Sequence, residues 1–555
     1  MAHAPERRFL FDGEPRTARS GETLLSALTR GRLPNLVRSI RYHRPRGPAC
    51  GVGYCTGCLL RVNGRPNVRA CRYVPAESDV VTTENSWPST RFDLYGAFDF
   101  LFPRGIDTLK GFRRPAFATA AYHRIIRGLS GFGAPPDPSA AFGSDEPPVR
   151  TTVDVAIVGG GESGRAVAVR LVEAGVRPAV FDRRLDPSPI PGVDFAPSTT
   201  VTFLPAPGKT TDPRFTLLGY QEPSRGVEVH ARAVVVATGG YDASLLFAGN
   251  DHPGVVTGDG AIALLDRDGR PPFARAVLVG GDARADELLT RIPEQITAVV
   301  APDAIQPAVV RRASEEEVPL YPRTLVLRAR GRSRVRALDL RARGTGATFS
   351  LACDAVILAH RRLPTPQLFF QAGARMEWRA GSGAYYPVLS SSGETTIPGL
   401  FAVGAAAGIL PEGGAESGQR VAASILGRPL AEDGPLLRIS QEGPSELEGY
   451  YRELWRERPG GKWVACPCED VLLREVEEAT RRGYRGIEVI KRYTGLGTGL
   501  CQGRYCLPDA LLVLSLLESR PPPEVGYITQ RPPVVPTPLA AFAALRDDVP
   551  RTGAP

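Results

Sequence analysis

The chain has few lysines and no long apolar run, and each absence excludes a class of protein. Only four of its 68 basic residues are lysines, at positions 110, 209, 462 and 491, and its arginines are scattered. We therefore predict no nucleic-acid partner, since such a protein gathers basic and aromatic residues into one face. No apolar run reaches the ~18 residues that span a bilayer, and residues 1–16 lack the apolar core of a signal peptide. We expect a cytoplasmic protein without a transmembrane segment, where disulfides rarely persist.

Histidine and low-complexity sequence are also scarce. The six histidines show no metal-ligand spacing, and no nucleophile elbow is present, so we predict neither a histidine metal site nor a hydrolase of that type. Gly (60) and Pro (52) make up about a fifth of the 555 residues, which favours a folded, loop-rich protein over a disordered one. At roughly 100–200 residues per domain, the length predicts three or four domains.

Eight of the nine cysteines fall into two groups of four. The first group is Cys50, Cys55, Cys58 and Cys71, and its first three members have the C-x4-C-x2-C spacing with which plant-type ferredoxins hold a 2Fe-2S cluster. Glycines at 51, 53 and 57 would let this loop turn tightly and aim N–H groups at the sulfurs. Residues 59–65 predict a strand and a turn that return Cys71 to the loop. A structural zinc site is the alternative.

The second group is Cys466, Cys468, Cys501 and Cys506. Between its two pairs, we predict a helix that carries Val471, Leu472, Val476 and Ala479 on one face, followed by a glycine-rich turn at 494–499. Over residues 455–520 this pattern resembles the 2Fe-2S domain of bacterioferritin-associated ferredoxins, with two ligands on each of two loops. Zinc is again the alternative.

The remaining cysteine, Cys353, stands in an apolar run. We interpret it as a small buried hydrophobic residue of a strand and not as a nucleophile.

Residues 153–182 have the pattern of a dinucleotide-binding unit: strand, glycine turn, helix, strand. Gly159, Gly161 and Gly164 follow the first strand and open the helix, Ala168 would let the helix pack closely, and Asp182 ends the second strand. The turn and the helix N-terminus would bind a pyrophosphate, and the Asp182 carboxylate would accept hydrogen bonds from the adenosine ribose.

Two later segments resemble those of flavoproteins with two dinucleotide domains. Thr238 and Gly239 stand in a strand and turn that return the chain to the nucleotide, and Gly404 stands in the closing motif near the flavin ribityl. Ala405 occupies the position where that family usually has an acidic residue, so NAD or ATP remain alternatives to FAD.

The second nucleotide subdomain, about residues 250–365, has a degenerate motif. Gly280 and Gly281 begin a glycine turn, but Asp282 would place a negative charge near a pyrophosphate and no third glycine follows. We expect this subdomain to support the fold without binding NAD(P)H.

The segments at 42–47 (YHRPRG) and 85–89 (NSWPS), read with both cysteine groups and the dinucleotide unit, resemble the iron–sulfur flavoprotein subunits of sarcosine oxidase, hydrogen cyanide synthase, opine oxidase and hydroxyproline or proline dehydrogenases. This resemblance implies an α/β, Rossmann-like flavoprotein with two dinucleotide-binding domains, an N-terminal β-grasp ferredoxin-like domain and a small helical C-terminal domain. The implied divisions are a 2Fe-2S domain at 1–95, a linker at 96–150, an FAD/NAD(P)-binding domain at 151–435, a second 2Fe-2S domain at 455–520 and a proline-rich tail at 521–555.

The resemblance also implies a role in electron transfer. A partner subunit of the D-amino acid oxidase type, itself FAD-dependent, would oxidise the amine, and this chain would pass electrons through a flavin and two 2Fe-2S clusters to a quinone, a carrier protein or oxygen. No catalytic acid or base is expected in this chain. FMN at the partner interface is a further expected cofactor, and partners could bring the complex to the inner membrane.

Two alternative functions stay open, and one activity is not expected. The folate-binding region that ends the α chain of sarcosine oxidase is not recognised, so we do not expect a tetrahydrofolate-linked activity. A self-contained NAD(P)H-dependent reductase is one alternative function, and a non-enzymatic iron–sulfur sensor or storage protein is another.

Overall fold

The structure is a computed structural model that describes residues 6–30, 33–101, 136, 146–184, 188–206, 215–269, 271–429, 446–457 and 460–545. Most of the predicted linker at 96–150 therefore lies outside the described residues. The chain forms two compact units, each built from three separate stretches. The first unit contains 1–140, 242–362 and 446–528, and the second contains 141–241, 363–445 and 529–555.

The first unit begins with a mixed five-stranded sheet. Its strand order is Glu14–Arg19, Glu6–Phe11, Val80–Thr82, Leu59–Val62, Arg65–Arg69. Only the pairing of the second and third of these strands is parallel. The helix Leu24–Thr29 covers this sheet, and its Leu24 and Leu25 are buried against Phe9 and Leu60. The predicted strand and turn after Cys58 are confirmed, since the hairpin turns at Asn63 and Gly64 with positive φ at both.

A parallel sheet forms the second part of the first unit. Its order is Val255–Thr257, Ala355–Leu358, Ala276–Val279, Ile296–Val300, Leu320–Tyr321. The helices of this part are Gly258–Asp268, Ala283–Arg291 and Pro307–Glu315. Its central strands are fully buried, as expected of a parallel sheet. A three-stranded antiparallel sheet of Thr324–Gly331, Val335–Ala342 and Thr348–Ala352 adjoins it in sequence.

The C-terminal part of the first unit is helical, as predicted. Its helices are Glu446–Glu457, Leu473–Arg481, Ile487–Thr494, Leu507–Glu518 and Pro522–Val525. One expectation was wrong: Val471 and Leu472 form a short strand that pairs with Val464–Cys466, and they precede the helix. Leu472 takes an extended backbone, and its N–H donates to the Glu475 carboxylate, which closes the helix N-terminus. The buried helical face therefore starts at Leu473 and continues through Val476 and Ala479.

The second unit is built on a seven-stranded sheet. Six strands follow the order Asp194–Ala196, Pro178–Phe181, Val149–Val158, Arg225–Val236, Phe215–Gln221, Thr199–Phe203, and Leu400–Ala402 also pairs with Arg225–Val236. The helices Glu162–Glu173 and Gly414–Ile425 are adjacent, with Val167, Ala168 and Val421 in one buried cluster. The other elements are the helices Gln367–Ala372 and Leu539–Ala543 and the hairpin Met376–Arg379 with Ala384–Pro387.

Short elements complete the described chain. They are the strands Val37–Arg38, Pro45–Arg46, Gly240–Asp242 and Arg362–Pro364, the helix Ala97–Leu101, and 3-10 turns at Leu94–Gly96, Pro293–Gln295, Gly404–Ala407 and Pro411–Gly413. None of the helices described here has both the length and the apolar character to cross a membrane.

Candidate functional site: two cysteine loops and a dinucleotide turn

Three cysteines of the first group lie on one tight loop of the first unit, and the hairpin of Leu59–Val62 and Arg65–Arg69 returns Cys71 to Cys58. Cys50, Cys58 and Cys71 are buried, and Cys55 is partly exposed. The backbone N–H groups of Tyr54 and Cys55 both donate to the Cys50 sulfur, at 3.2 Å. Such N–H donors are the groups that a loop must aim at sulfur to stabilise an iron–sulfur cluster.

The loop needs glycine where its segments approach each other. A Cβ atom at Gly57 would lie 1.9 Å from the carbonyl oxygen of Gly47, which no side chain tolerates. Gly51 and Gly53 have positive φ, as the tight turn predicted from the sequence requires.

The thiols of this group interact in two pairs. Burial opposes a charge on Cys50, but hydrogen bonds from the Cys55 thiol and from backbone N–H groups lower the pKa of Cys50. The hydrogen bond from the Cys58 thiol likewise lowers the pKa of Cys71 against the cost of burial. The same hydrogen bonds, together with burial, raise the pKa of Cys55 and Cys58 well above the usual value, so each pair favours one thiolate and one thiol.

The second cysteine group lies on two loops that meet within the first unit. Cys466, Cys468, Cys501 and Cys506 are all at most 2% exposed. A Cβ atom at Gly499 would lie 2.3 Å from the Cβ of Cys468, so the glycine-rich turn brings the two loops into contact. The hydrogen bond from the Cys468 thiol lowers the pKa of Cys501 in spite of burial.

Both groups thus place thiols in pairs instead of around one point. Among the residues that the structure describes, no three His, Cys, Asp or Glu side chains are grouped as ligands of a single metal ion.

The two cysteine groups are neighbours in the first unit. The Arg504 guanidinium carbon, between Cys501 and Cys506 in sequence, lies 3.7 Å from the centroid of the Tyr54 ring. Burial, followed by electrostatic interactions with Cys50 and Cys55, raises the pKa of the Tyr505 hydroxyl. Side chains from the second cysteine loop therefore reach the first, a proximity that the sequence did not predict.

A buried carboxylate also connects the two groups. Asp470, which is 0% exposed and follows Cys468 by two positions, accepts hydrogen bonds from the Ser39 hydroxyl at 2.5 Å and from the Tyr42 N–H at 2.9 Å. The Arg46 guanidinium pairs with the same carboxylate at 2.7 Å and with Asp251 at 2.6 Å. These contacts explain the distinctive segment at 42–47: it joins the ferredoxin sheet to the C-terminal cysteine loops.

The second distinctive segment supports the first. The Asn85 side-chain amide donates to the carbonyl oxygens of Arg38 and Ser39, at 3.2 and 3.1 Å. The His43 ring nitrogen lies 3.0 Å from the Asp93 carboxylate. Segment 85–89 therefore helps to hold the loop that carries the Asp470 contacts.

The degenerate nucleotide subdomain contacts the first cysteine loop directly. The Thr257 N–H donates to the Ala49 carbonyl at 2.9 Å, and the Arg267 side chain donates to the Gly51 carbonyl at 2.8 Å. A Cβ atom at Gly260 would lie 2.1 Å from the Ala49 oxygen, so the helix Gly258–Asp268 and the loop are in direct contact. This fits the expectation that the subdomain supports the fold.

The degenerate motif itself has an internal partner. The Asp282 carboxylate caps the helix Ala283–Arg291 by accepting from the Arg284 N–H at 3.0 Å. Asp282, whose charge disfavours a pyrophosphate, therefore accepts a hydrogen bond from a backbone N–H group at this helix N-terminus.

In the second unit, three parallel strands end at one edge, where the predicted nucleotide residues meet. Val158, Val236 and Ala402 are in register, so the residues that follow them in the chain come together at the carboxyl edge of the sheet. This is the usual location of ligands in such sheets. Gly159, Thr238 and Gly404 are thereby brought to one place.

The glycine turn fits a pyrophosphate. A Cβ atom at Gly164 would lie 2.1 Å from the Gly159 oxygen, which shows how closely helix and turn pack, whereas a Cβ atom at Gly161 would meet nothing within 4 Å. Gly161 stands at the N-cap of the helix Glu162–Glu173, so the space beside it faces the helix N-terminus. A dinucleotide phosphate binds at such a place.

Asp182 follows the second strand as predicted, but its carboxylate has protein partners. It accepts from the Gly160 N–H and from the Arg184 N–H, both at 2.7 Å. Burial would raise the pKa of Asp182, but its hydrogen bonds and the Arg184 charge keep that pKa below the usual value. A contact between the Asp182 carboxylate and a ribose stays a prediction. Arg184 also lies at this site, and the sequence did not point to it.

The closing motif, which contains Gly404, lies beside the helix Glu162–Glu173 that follows the glycine turn. A Cβ atom at Gly404 would lie 2.3 Å from the Ser163 hydroxyl, and the Gly404 N–H donates to the Ser417 hydroxyl at 3.0 Å. Ala405 follows in the same 3-10 turn, without a carboxylate. Thr238 contacts Thr365 through their hydroxyls at 2.5 Å.

Cys353 is buried, but it lies in the turn between Thr348–Ala352 and Ala355–Leu358 and not within a strand. Burial raises the pKa of its thiol to about 12. It is therefore a poor nucleophile.

Three protein families match successive parts of this chain. Residues 6–86 match a 2Fe-2S iron–sulfur cluster binding domain, residues 153–424 match pyridine nucleotide-disulphide oxidoreductases, and residues 461–546 match the sarcosine oxidase A3 domain. Together they support an iron–sulfur cluster and FAD as cofactors.

Individual proteins are similar to this chain over most of its length. The α chain of sarcosine oxidase from Rhizobium meliloti (strain 1021) is 27% identical over 96% of this chain, which covers 57% of that protein. The matching opine oxidase polypeptide of Agrobacterium tumefaciens (strain Ach5) is 26% identical over 71% of this chain and 92% of its own length. This chain thus spans little more than half of the first relative and nearly all of the second.

One solved structure has the same fold along nearly the whole chain. The crystal structure of L-proline dehydrogenase from P. horikoshii matches with a TM-score of 0.67 and 20% identity, over 98% of both chains. The predicted fold class, a mixed α/β flavoprotein with a ferredoxin-like N-terminal domain and a helical C-terminal domain, is confirmed. The chain is thus similar, along most of its length, to the iron–sulfur flavoprotein subunits of sarcosine oxidases and opine oxidases.

Proposed function

We propose that this chain is the electron-transfer subunit of a multi-subunit oxidoreductase that acts on the C–N bond of an amino acid or amine. A partner flavoprotein oxidises the substrate, and this chain carries the electrons to an acceptor. The candidate substrates are sarcosine, proline and opines, which the names of the similar proteins contain, and also glycine and hydroxyproline, which the resemblance in sequence implies. The acceptor is a quinone, a carrier protein or oxygen.

The proposed ligands are the two cysteine groups. Cys50, Cys55, Cys58 and Cys71 would hold one 2Fe-2S cluster, and Cys466, Cys468, Cys501 and Cys506 would hold the other. The turn at Gly159, Gly161 and Gly164, with Asp182, Thr238, Gly239, Gly404 and Ala405 around it, would hold FAD. When bound, these groups supply one-electron and two-electron redox chemistry, and the protein sets their positions and potentials.

One observation carries this proposal: two separate groups of four cysteines, nearly all buried, lie in a single compact unit on loops whose side chains Arg504 and Tyr54 are in contact. A storage protein or a simple reductase has no need for two such sites side by side. Electron transfer does, because each site carries one electron and must lie close to the next.

The cofactor claim is tested by measuring the iron, sulfide and nucleotide content of the anaerobically reconstituted chain. We expect four irons and four acid-labile sulfides per chain, with the absorption of 2Fe-2S clusters, and FAD in the extract of the heat-denatured protein. Zinc without sulfide at either cysteine group would refute the cluster assignment there. NAD or ATP in place of FAD would refute the flavin assignment while leaving the dinucleotide turn intact.

The assignment of substrate oxidation to the partner and of electron transfer to this chain is tested with Cys55→Ser in the complex with the co-purified partner. The partner's flavin should still be reduced by substrate at nearly the normal rate in stopped-flow traces, whereas steady-state transfer to the acceptor should slow. Cys353→Ser is the matched control and should change neither step. Robust amine oxidation by the isolated chain would refute the proposal, as would unchanged turnover by a complex that lacks both clusters.

A further inference from the structure

The contact between Arg504 and Tyr54 lies between the two cysteine groups. Tyr54 directly precedes Cys55, and its own N–H donates to the Cys50 sulfur at 3.2 Å. Arg504 follows Cys501 by three positions, and its N–H donates to the Cys501 carbonyl at 3.3 Å. This pair of side chains therefore connects the loop of one group to the loop of the other.

Arg504 holds its charge in the interior. The residue is 4% exposed, and its guanidinium carbon lies 3.7 Å from the Tyr54 ring centroid, within the range of a cation–π contact. An arginine cannot lose its proton in a protein, and its planar group stacks on a ring in a way that an ammonium does not. The stack thus holds a permanent positive charge at a fixed place.

That charge lies next to both cysteine loops. Arg504 itself belongs to the second loop, between Cys501 and Cys506, and is 4% exposed. On the other side, Tyr54 places the guanidinium next to the loop in which Cys50 accepts two N–H bonds. Reduction of a 2Fe-2S cluster adds one negative charge, and a nearby buried cation stabilises that charge.

We propose that Arg504 is a positioning residue shared by both clusters, which raises the reduction potential of each and, through its stack on Tyr54, holds the two cysteine loops together. This inference rests on the proposed function, because it requires a cluster at each cysteine group. Arg504 takes no part in bond making or breaking.

The expected effect follows from the charge alone. A full charge acting over roughly 10 Å at an effective dielectric constant of about 20 changes an equilibrium by about tenfold. In Arg504→Gln, the equilibrium constant for reduction of each cluster should therefore fall about tenfold, which for one electron is about 59 mV. Arg504→Lys keeps the charge and should restore most of the potential at both sites.

The test is a redox titration of the reconstituted chain, followed by electron paramagnetic resonance. The wild-type chain should show two one-electron centres whose signals broaden or split when both are reduced, because the centres are neighbours. Two further variants serve as controls. Arg267→Gln removes the arginine that contacts the Gly51 carbonyl and should shift the N-terminal cluster alone. Arg330→Gln removes an arginine whose side chain is 61% exposed and should shift neither.

If Arg504→Gln loses its C-terminal cluster, the N-terminal cluster still provides a test. The N-terminal cluster can then be compared in Cys501→Ser and in Cys501→Ser with Arg504→Gln, which both lack the C-terminal cluster and differ only in the arginine. A lower potential in the double variant supports the proposal, and equal potentials overturn it.

The outcomes separate this inference from the proposed function. A wild-type chain with only one centre refutes the second cluster and the shared role of Arg504 together. Two centres whose potentials move no more in Arg504→Gln than in Arg330→Gln overturn the inference and leave the proposed function standing.

Discussion

The strongest structural prediction concerns Asp470, the carboxylate that joins the ferredoxin sheet to the C-terminal cysteine loops. The chosen change is Asp470→Asn. Asp470 has a φ of 54°, a conformation that asparagine tolerates better than alanine. Asparagine also keeps one oxygen as an acceptor, so the change removes the charge with little backbone strain.

The size of the effect follows from the lost contacts. Asp470 accepts from the Ser39 hydroxyl, from the Arg41 and Tyr42 N–H groups and from the Arg46 guanidinium, and it is completely buried. Breaking a buried ion pair costs about 3–5 kcal/mol when the remaining charge has no other partner. Arg46 keeps Asp251 as a partner, and the amide keeps part of the hydrogen bonding, so we expect a loss of about 2 kcal/mol.

The assay is the rate at which a chelator bleaches the clusters in mild urea. We call the contacts of Asp470 with residues 39–46 the joint. A loss of about 2 kcal/mol should raise the fraction of molecules in which the joint is open about 30-fold. The rate of bleaching follows that fraction when the joint closes again quickly. Because the joint contains segments from both cysteine domains, we expect both clusters to bleach faster. Asp339→Asn is the matched control, since Asp339 pairs with the exposed Arg330 and such pairs contribute little.

Two results would refute this reasoning. Bleaching of Asp470→Asn within a factor of about two of Asp339→Asn would show that the joint does not limit opening. Faster bleaching at the C-terminal site alone would show that the N-terminal loop does not depend on Asp470.

Three further predictions concern the separate sites. Gly161→Val should abolish dinucleotide binding, since its side chain would enter the open space beside the helix N-terminus; chromatography of the released nucleotide checks this, with the exposed Gly344→Val as a control that should bind normally. Joint replacement of Cys466 and Cys468 by serine should leave the N-terminal cluster in place, because its ligands lie on their own sheet and loop, and two irons per chain by metal analysis would agree. Cys353, with its pKa raised to about 12, stays protonated at about pH 8, so mass spectrometry should find it unalkylated by iodoacetamide until the protein unfolds.

Much of the fold was predictable because its signals are local in sequence. The strand, glycine turn and helix at 153–173 follow from apolar periodicity and from glycines at fixed offsets. The cysteine spacings likewise specify loops, because Cys50, Cys55 and Cys58 lie within nine residues, and each pair of the second group lies within six. The boundary at Val471 and Leu472 was missed, since an apolar pair before a helix fits a strand and a helical face equally well.

The local elements can therefore be read from the order of the residues: two cysteine groups, one intact dinucleotide turn and one degenerate turn. How these elements serve each other depends on the folded chain. Asp470 lies 424 positions from its partner Arg46, and the ring beneath Arg504 comes from the other end of the chain. No local spacing encodes such pairs, because they form only when separately folded segments pack together and a buried charge must find its partner there.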